Sequence, residues 1–83
     1  MILAIDIGNT NIVLGCMDGK KRYFTERLST NKTKMEMEYA IDIRMIMDIN
    51  GVSPEEIEGA IISSVVPPLT KIIQEALYKI IKK

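Results

Sequence analysis

The chain has 83 residues and a mass of 9.4 kDa, below the roughly 100–200 residues of a typical domain, so it is one small domain or part of one, and two domains are excluded. Eleven basic residues balance 11 acidic ones, with 27% charged and 47% hydrophobic residues, a globular composition that excludes a disordered chain and argues against a polybasic grip on nucleic acid. One cysteine and no histidine exclude an intrachain disulfide, a Cys/His zinc site and a histidine general base, and they fit a reducing, cytoplasmic setting.

The apolar start Ile2-Leu3-Ala4-Ile5 has no basic residue before it and meets Asp6 at once, so it is neither a signal segment nor a membrane span, and no membrane partner is expected. Ile2 to Ile7 is rich in β-branched residues and predicts a strand, Gly8-Asn9-Thr10-Asn11 a loop, and Ile12 to Met17 a second strand. Asp18-Gly19 predicts a type I′ turn that folds the chain back into a third strand, Arg22 to Ser29. Ser29 to Thr33 reads as an exposed connection.

From Met35 to Ile49 every odd position is apolar, which taken literally is a strand's period. The length exceeds that of an ordinary strand, Met, Glu and Ala are strong helix formers, and Ile46 breaks the parity, so the segment is predicted helical. Asn50-Gly51 supplies a left-handed stop, and Ser53-Pro54-Glu55-Glu56 reads as a capping box with Pro at the first helical position. Gly59 to Val66 predicts a fourth strand, ended by Pro67-Pro68. In the helix that follows, Leu69, Ile72, Ile73, Ala76, Leu77, Ile80 and Ile81 form one apolar face.

The order βββ, α, β, α predicts an α/β fold with a mixed sheet, its fourth strand parallel to a neighbour after a right-handed crossover. A fifth strand is expected after the last helix. The run Ile80-Ile81-Lys82-Lys83 carries neither a glycine cap nor another strand, and the chain reads as part of a longer gene product.

Two segments are candidates for chemistry. In Asp6-Ile7-Gly8-Asn9-Thr10-Asn11 an apolar strand ends in a carboxylate, a glycine and three small polar residues. Gly8 allows close backbone approach, successive amides can form an anion-binding concavity, and Asn9, Thr10 and Asn11 add donors. Asp6 would repel phosphate unless a cation lay between them, so its functional role is to hold Mg²⁺. The alternative is a tight hairpin in which Asp6 only accepts backbone hydrogen bonds. The segment matches neither the P-loop nor the G-x-G-x-x-G pattern.

The second candidate is Ser63-Ser64 before Val65-Val66-Pro67-Pro68, at the carboxyl end of a parallel strand, where α/β sheets place ligands. The two hydroxyls line a cleft or, alternatively, cap the next helix. Cys16 without a histidine partner reads as a packed thiol, Lys20-Lys21-Arg22 as a solvated end, and Met35, Met37, Met45 and Met47 as core or interface filling. Asp42 and Asp48 belong to a polar helix face.

On Asp6 to Asn11 taken with Ser63 to Leu69, the sequence resembles the type III pantothenate kinases. Met1 to Ile12 is similar to that family's opening and Ile62-Ser63-Ser64-Val65-Val66-Pro67 to its second signature. Either motif alone is shared within the superfamily of acetate and sugar kinases, heat-shock chaperones and actin, and the pair is more specific. The resemblance implies a ribonuclease H-like, actin-like ATPase half-domain, with residues 1–83 the N-terminal part of the first domain and the second domain absent. It implies that Asp6, Ile7, Gly8, Asn9, Thr10, Asn11, Ile12 and Val13 form the ATP phosphate loop, with Asp6 near Mg²⁺. It further implies pantothenate as substrate, a monovalent cation (K⁺ or NH₄⁺) and a cytoplasmic homodimer. The family's Gly-Ala-Asp-Arg segment, which holds its base, and its cation-binding Asp have no matching residue here. The alternative is a non-catalytic nucleotide-binding regulatory or assembly protein of the same superfamily.

Overall fold

Period-2 alternation of buried and exposed side chains builds the sheet. In β1 (Ile2–Ile7) it sends Leu3, Ile5 and Ile7 to one face, and in β2 (Asn11–Asp18) it sends Ile12, Leu14 and Cys16 to the same face. The structure, a computed structural model, describes residues 1–81; Lys82 and Lys83, which sequence reading placed in an uncapped chain end, lie outside the described residues. β3 (Lys21–Ser29) pairs antiparallel with β2, and β4 (Gly59–Ser64) pairs parallel with β1, so the sheet order is β3-β2-β1-β4. The expected mixed α/β sheet is present.

The β2–β3 turn differs from expectation. Asp18 pairs with Lys21, so the two-residue loop is Gly19-Lys20, and only Gly19 has positive φ, at 64°. Glycine first with a negative-φ residue second is the type II′ arrangement, not I′, because Asp18 remains in the strand. A bulge between Cys16 and Met17 leaves Tyr23 as the extra residue on β3 and adds local twist.

Helix α1 (Glu36–Ile49) settles the ambiguous segment. It buries Tyr39, Ala40, Ile43 and Met47 and leaves Met37, Ile41, Met45 and Ile49 exposed. A helix buries one stripe, so strict odd-position alternation must place half its apolar residues outside. Of the four methionines read as core or interface filling, only Met47 enters the core; Met35, Met37 and Met45 are more than half exposed. Glu38 accepts the Met35 amide at 2.9 Å and caps the start. At the other end Gly51 has φ 74°, its amide reaches the Asp48 carbonyl, and the Val52 amide reaches the Met47 carbonyl, a Schellman stop. Pro54–Glu56 forms a single 3₁₀ turn before β4, with the Ser53 amide to Glu56 at 3.4 Å.

β4 stops at Ser64 rather than continuing to Val66, because the Ser64 hydroxyl accepts the Val66 amide at 3.0 Å and turns the chain into α2 (Pro67–Ile80). Helix α2 buries Leu69, Ile73, Ala76 and Leu77, with Ile72 and Ile80 half-buried and Ile81 buried just beyond its end. Each such Leu or Ile contributes about 1.5–3 kcal/mol by leaving water. Both helices share one core with the odd positions of β1 and the even positions of β2. The opposite sheet face stays open and carries Ala4, Asp6, Val13, Gly15, Ile61 and Ser63. No described helix is long and apolar enough to cross a membrane.

Candidate functional site

The two sequence candidates meet at one end of the sheet. In the register of β1 and β4, Asp6 lies opposite Ser63 and Ile7 opposite Ser64, and the Val65 amide donates to the Ile7 carbonyl at 3.0 Å. Since β1 and β4 run parallel, both strands end here, where an α/β sheet leaves its crevice.

Alternation then sorts the loop residues. Ile7 and Ile12 are wholly buried, so of the eight candidate loop residues these two can offer a ligand only main-chain groups, and the Ile7 carbonyl already accepts from Val65. Asp6 and Val13 face the other way, opposite one another, with Ser63 next in the same row, and all three line a hollow of about 400 Å³ on the open face. Arg27 is paired with Val13 on its other side, two strand spacings or about 10 Å from Asp6 backbone to backbone, and among the described residues it forms no ion pair with Asp6. Asp6 is exposed and has no salt bridge among the described residues.

Gly8 is required for space, not for its φ. Its amide donates to the Asn11 carbonyl at 2.9 Å, and a Cβ on Gly8 would lie 3.0 Å from that same oxygen. This closure leaves Asn9, Thr10 and Asn11 exposed. Among the described residues, the Asn9 and Thr10 amides donate to no protein acceptor. The start of α2 is a poorer source of amides, since Pro67 and Pro68 occupy its first two positions and carry no N–H.

Ser64 and Ser63 part company. Ser64 spends its hydroxyl on Val66, accepting the amide and donating to the carbonyl at 3.2 Å, which is the capping alternative. Ser63 is exposed beside Asp6. A residue that sequence reasoning missed is Thr30, just after β3, whose hydroxyl and amide both bond to the 8–10 turn. The placement of a threonine directly after a strand was visible, but its partners lie 20 or more residues away.

No group of three or more His, Cys, Asp or Glu side chains gathers anywhere among the described residues. One carboxylate with a neighbouring hydroxyl is nevertheless a donor set that suits Mg²⁺, which is commonly held by one or two carboxylates, waters and substrate phosphates. The free amides of Asn9 and Thr10 suit phosphate oxygens.

A mixed sheet in this order, with two helices on one face and a polar loop where β1 and β4 end, is the architecture of an actin-like, ribonuclease H-like half-domain. The family model for type III pantothenate kinase matches residues 2–83, and the chain belongs to that family. It is 51% identical over 69 residues to a type III pantothenate kinase of Exiguobacterium sp., covering 83% of this chain and 27% of the relative. Against the enzyme of Geobacter sulfurreducens it is 46% identical over 74 residues, 89% of this chain and 29% of the relative, and against that of Moorella thermoacetica 39% over 79 residues, 95% and 31%. The chain thus spans less than a third of the length of these relatives.

Proposed function

We propose that this chain supplies the ATP phosphate-binding loop of a kinase that phosphorylates pantothenate to 4′-phosphopantothenate, the first step of coenzyme A biosynthesis. The observation that carries the reading is the junction of the Asp6–Asn11 loop with the Ser63–Val66 turn, tied by the Val65 to Ile7 hydrogen bond. In phosphoryl transfer the protein contributes mainly position and charge stabilisation. The exposed amides of Asn9 and Thr10 and the side chains of Asn9, Thr10 and Asn11 bind phosphate oxygens, with Gly8 allowing close approach. Asp6 holds Mg²⁺, with Ser63 beside it, and the bound ion supplies neutralisation of phosphate charge. The base that accepts the pantothenate hydroxyl proton, the K⁺ or NH₄⁺ site and the surface of a cytoplasmic homodimer belong to other parts of the whole protein. Relatives named as kinases favour this reading over a non-catalytic nucleotide-binding protein.

The test is Asp6→Ala in a full-length protein carrying this chain. Because Asp6 is exposed and unpaired, the expected outcome is a loss of kcat of at least about 100-fold with an unchanged melting temperature. Near-normal kcat would remove Asp6 from the site. A lost fold would instead support the hairpin alternative.

A further inference from the structure

Three hydrogen bonds close the 8–10 turn. The Gly8 amide bonds within the turn to the Asn11 carbonyl, whereas the other two come from outside and both from Thr30. The Thr30 hydroxyl donates to the Gly8 carbonyl at 2.7 Å and the Thr30 amide to the Thr10 carbonyl at 2.9 Å. Thr30 is itself held from the core. Tyr39, wholly buried on α1, accepts the Asn31 amide at 2.9 Å and donates to the Asn31 carbonyl at 2.7 Å. The buried Tyr39 therefore anchors Asn31 by two hydrogen bonds, and Thr30, the next residue along the chain, anchors the exposed turn by two more.

The peptide unit gives that anchoring a consequence. A carbonyl and the amide of the next residue share one plane and point in opposite directions. Holding the Gly8 carbonyl towards Thr30 therefore turns the Asn9 amide away from Thr30, and it keeps an oxygen that would repel an anion engaged with a donor. Without the Thr30 hydroxyl, the 8–9 peptide is free to rotate and the Gly8 carbonyl loses its partner.

We propose that Thr30 is a positioning residue for the phosphate loop, orienting the 8–9 peptide so that the Asn9 amide is presented to an ATP phosphate. The inference rests on the phosphate-binding reading above. Thr30 touches no substrate in this account and acts only through the loop.

The experiment compares Thr30→Val, Thr30→Ser, Tyr39→Phe and Asp6→Ala in a full-length protein carrying this chain, with ATP and pantothenate varied separately and melting followed in parallel. Thr30→Val removes the hydroxyl at nearly constant volume and should raise the KM for ATP about 5- to 10-fold, the worth of one hydrogen bond, leaving the KM for pantothenate unchanged. Thr30→Ser should restore the ATP value. Tyr39→Phe should show a smaller rise of the same kind, because it loosens the segment that holds Thr30. An unchanged KM for ATP in Thr30→Val while Asp6→Ala loses turnover would overturn the role of Thr30 and leave the loop reading standing. A loss spread equally over kcat and both KM values, not rescued by serine, would make Thr30 merely structural. Should Thr30→Val fail to fold, an unmoved ATP KM in folded Tyr39→Phe overturns the proposal. Near-normal turnover in Asp6→Ala removes Asp6 from the site, and together with an unmoved ATP KM in Thr30→Val it overturns the loop reading and the inference with it.

Discussion

Cys16 couples one core position to pH. Its side chain is wholly buried, with the sulfur 3.7 Å from that of Met1. Burial pushes the thiol above its ordinary value of 9.0, and the carboxylates of Asp18 and Glu56 add to this against the opposing charge of the N-terminal ammonium. The unfolded chain therefore releases the thiol proton at a lower pH than the folded one does. The stability that Cys16 contributes is fully present below the unfolded pKa and is lost as pH rises through the folded one. Urea midpoints should fall more steeply above about pH 9 for the wild type than for Cys16→Ala, and a thiol reagent at neutral pH should label Cys16 only on unfolding. Fast labelling of the native protein would mean the thiol is accessible. The sequence already pointed to a packed thiol from the apolar strand and the absence of histidine, since both are local features.

Among the elements, the stop of α1 makes the sharpest prediction. Gly51 sits at φ 74° with open space around its missing Cβ, so crowding is not what demands glycine there. The left-handed conformation is, and Gly51→Ala should cost about 1–2 kcal/mol, read as a lower denaturation midpoint with unchanged secondary structure. The Asn50-Gly51 pair disclosed that stop because the signal is a dipeptide. Which face of α1 would be buried was not legible. Odd-position alternation offers a helix two opposed apolar stripes, and packing against α2 and the sheet chose Tyr39, Ile43 and Met47 over Met37, Ile41 and Met45. The end of β4 was set in the same way, by the Ser64 hydroxyl, three positions before Pro67, taking the Val66 amide.

For the molecule as a whole, the isolated 83-residue chain should transfer no phosphate to pantothenate, because its described residues provide the loop proposed to bind phosphate and one carboxylate on an open face but no base paired to a substrate pocket. Magnesium-dependent phosphopantothenate formation by the purified chain, free of host kinase, would show that other residues do the chemistry. The same chain should associate with itself. Among the described residues β4 is an outer strand, and Ile61 and Val65 near it are about two-thirds exposed, so pairing two β4 edges would satisfy backbone groups and cover apolar surface. Sedimentation at several concentrations decides this, and a monomer throughout the micromolar range would show that the edge is self-protecting.

At this scale the division between sequence and structure has a physical cause. Composition, strand and helix order, the glycine stop and the two polar segments were determined by the sequence alone, because each depends on neighbours within a few positions. Tertiary structure decided which strand β4 joins, and so that Asp6 faces Ser63 while Ile7 and Ile12 turn into the core. It also decided that Ser64 serves the backbone while Ser63 stays exposed, and that Thr30 reaches back across 22 residues to Gly8. Those pairings depend on strand register and chain closure, which bring together residues with no pattern in common along the chain.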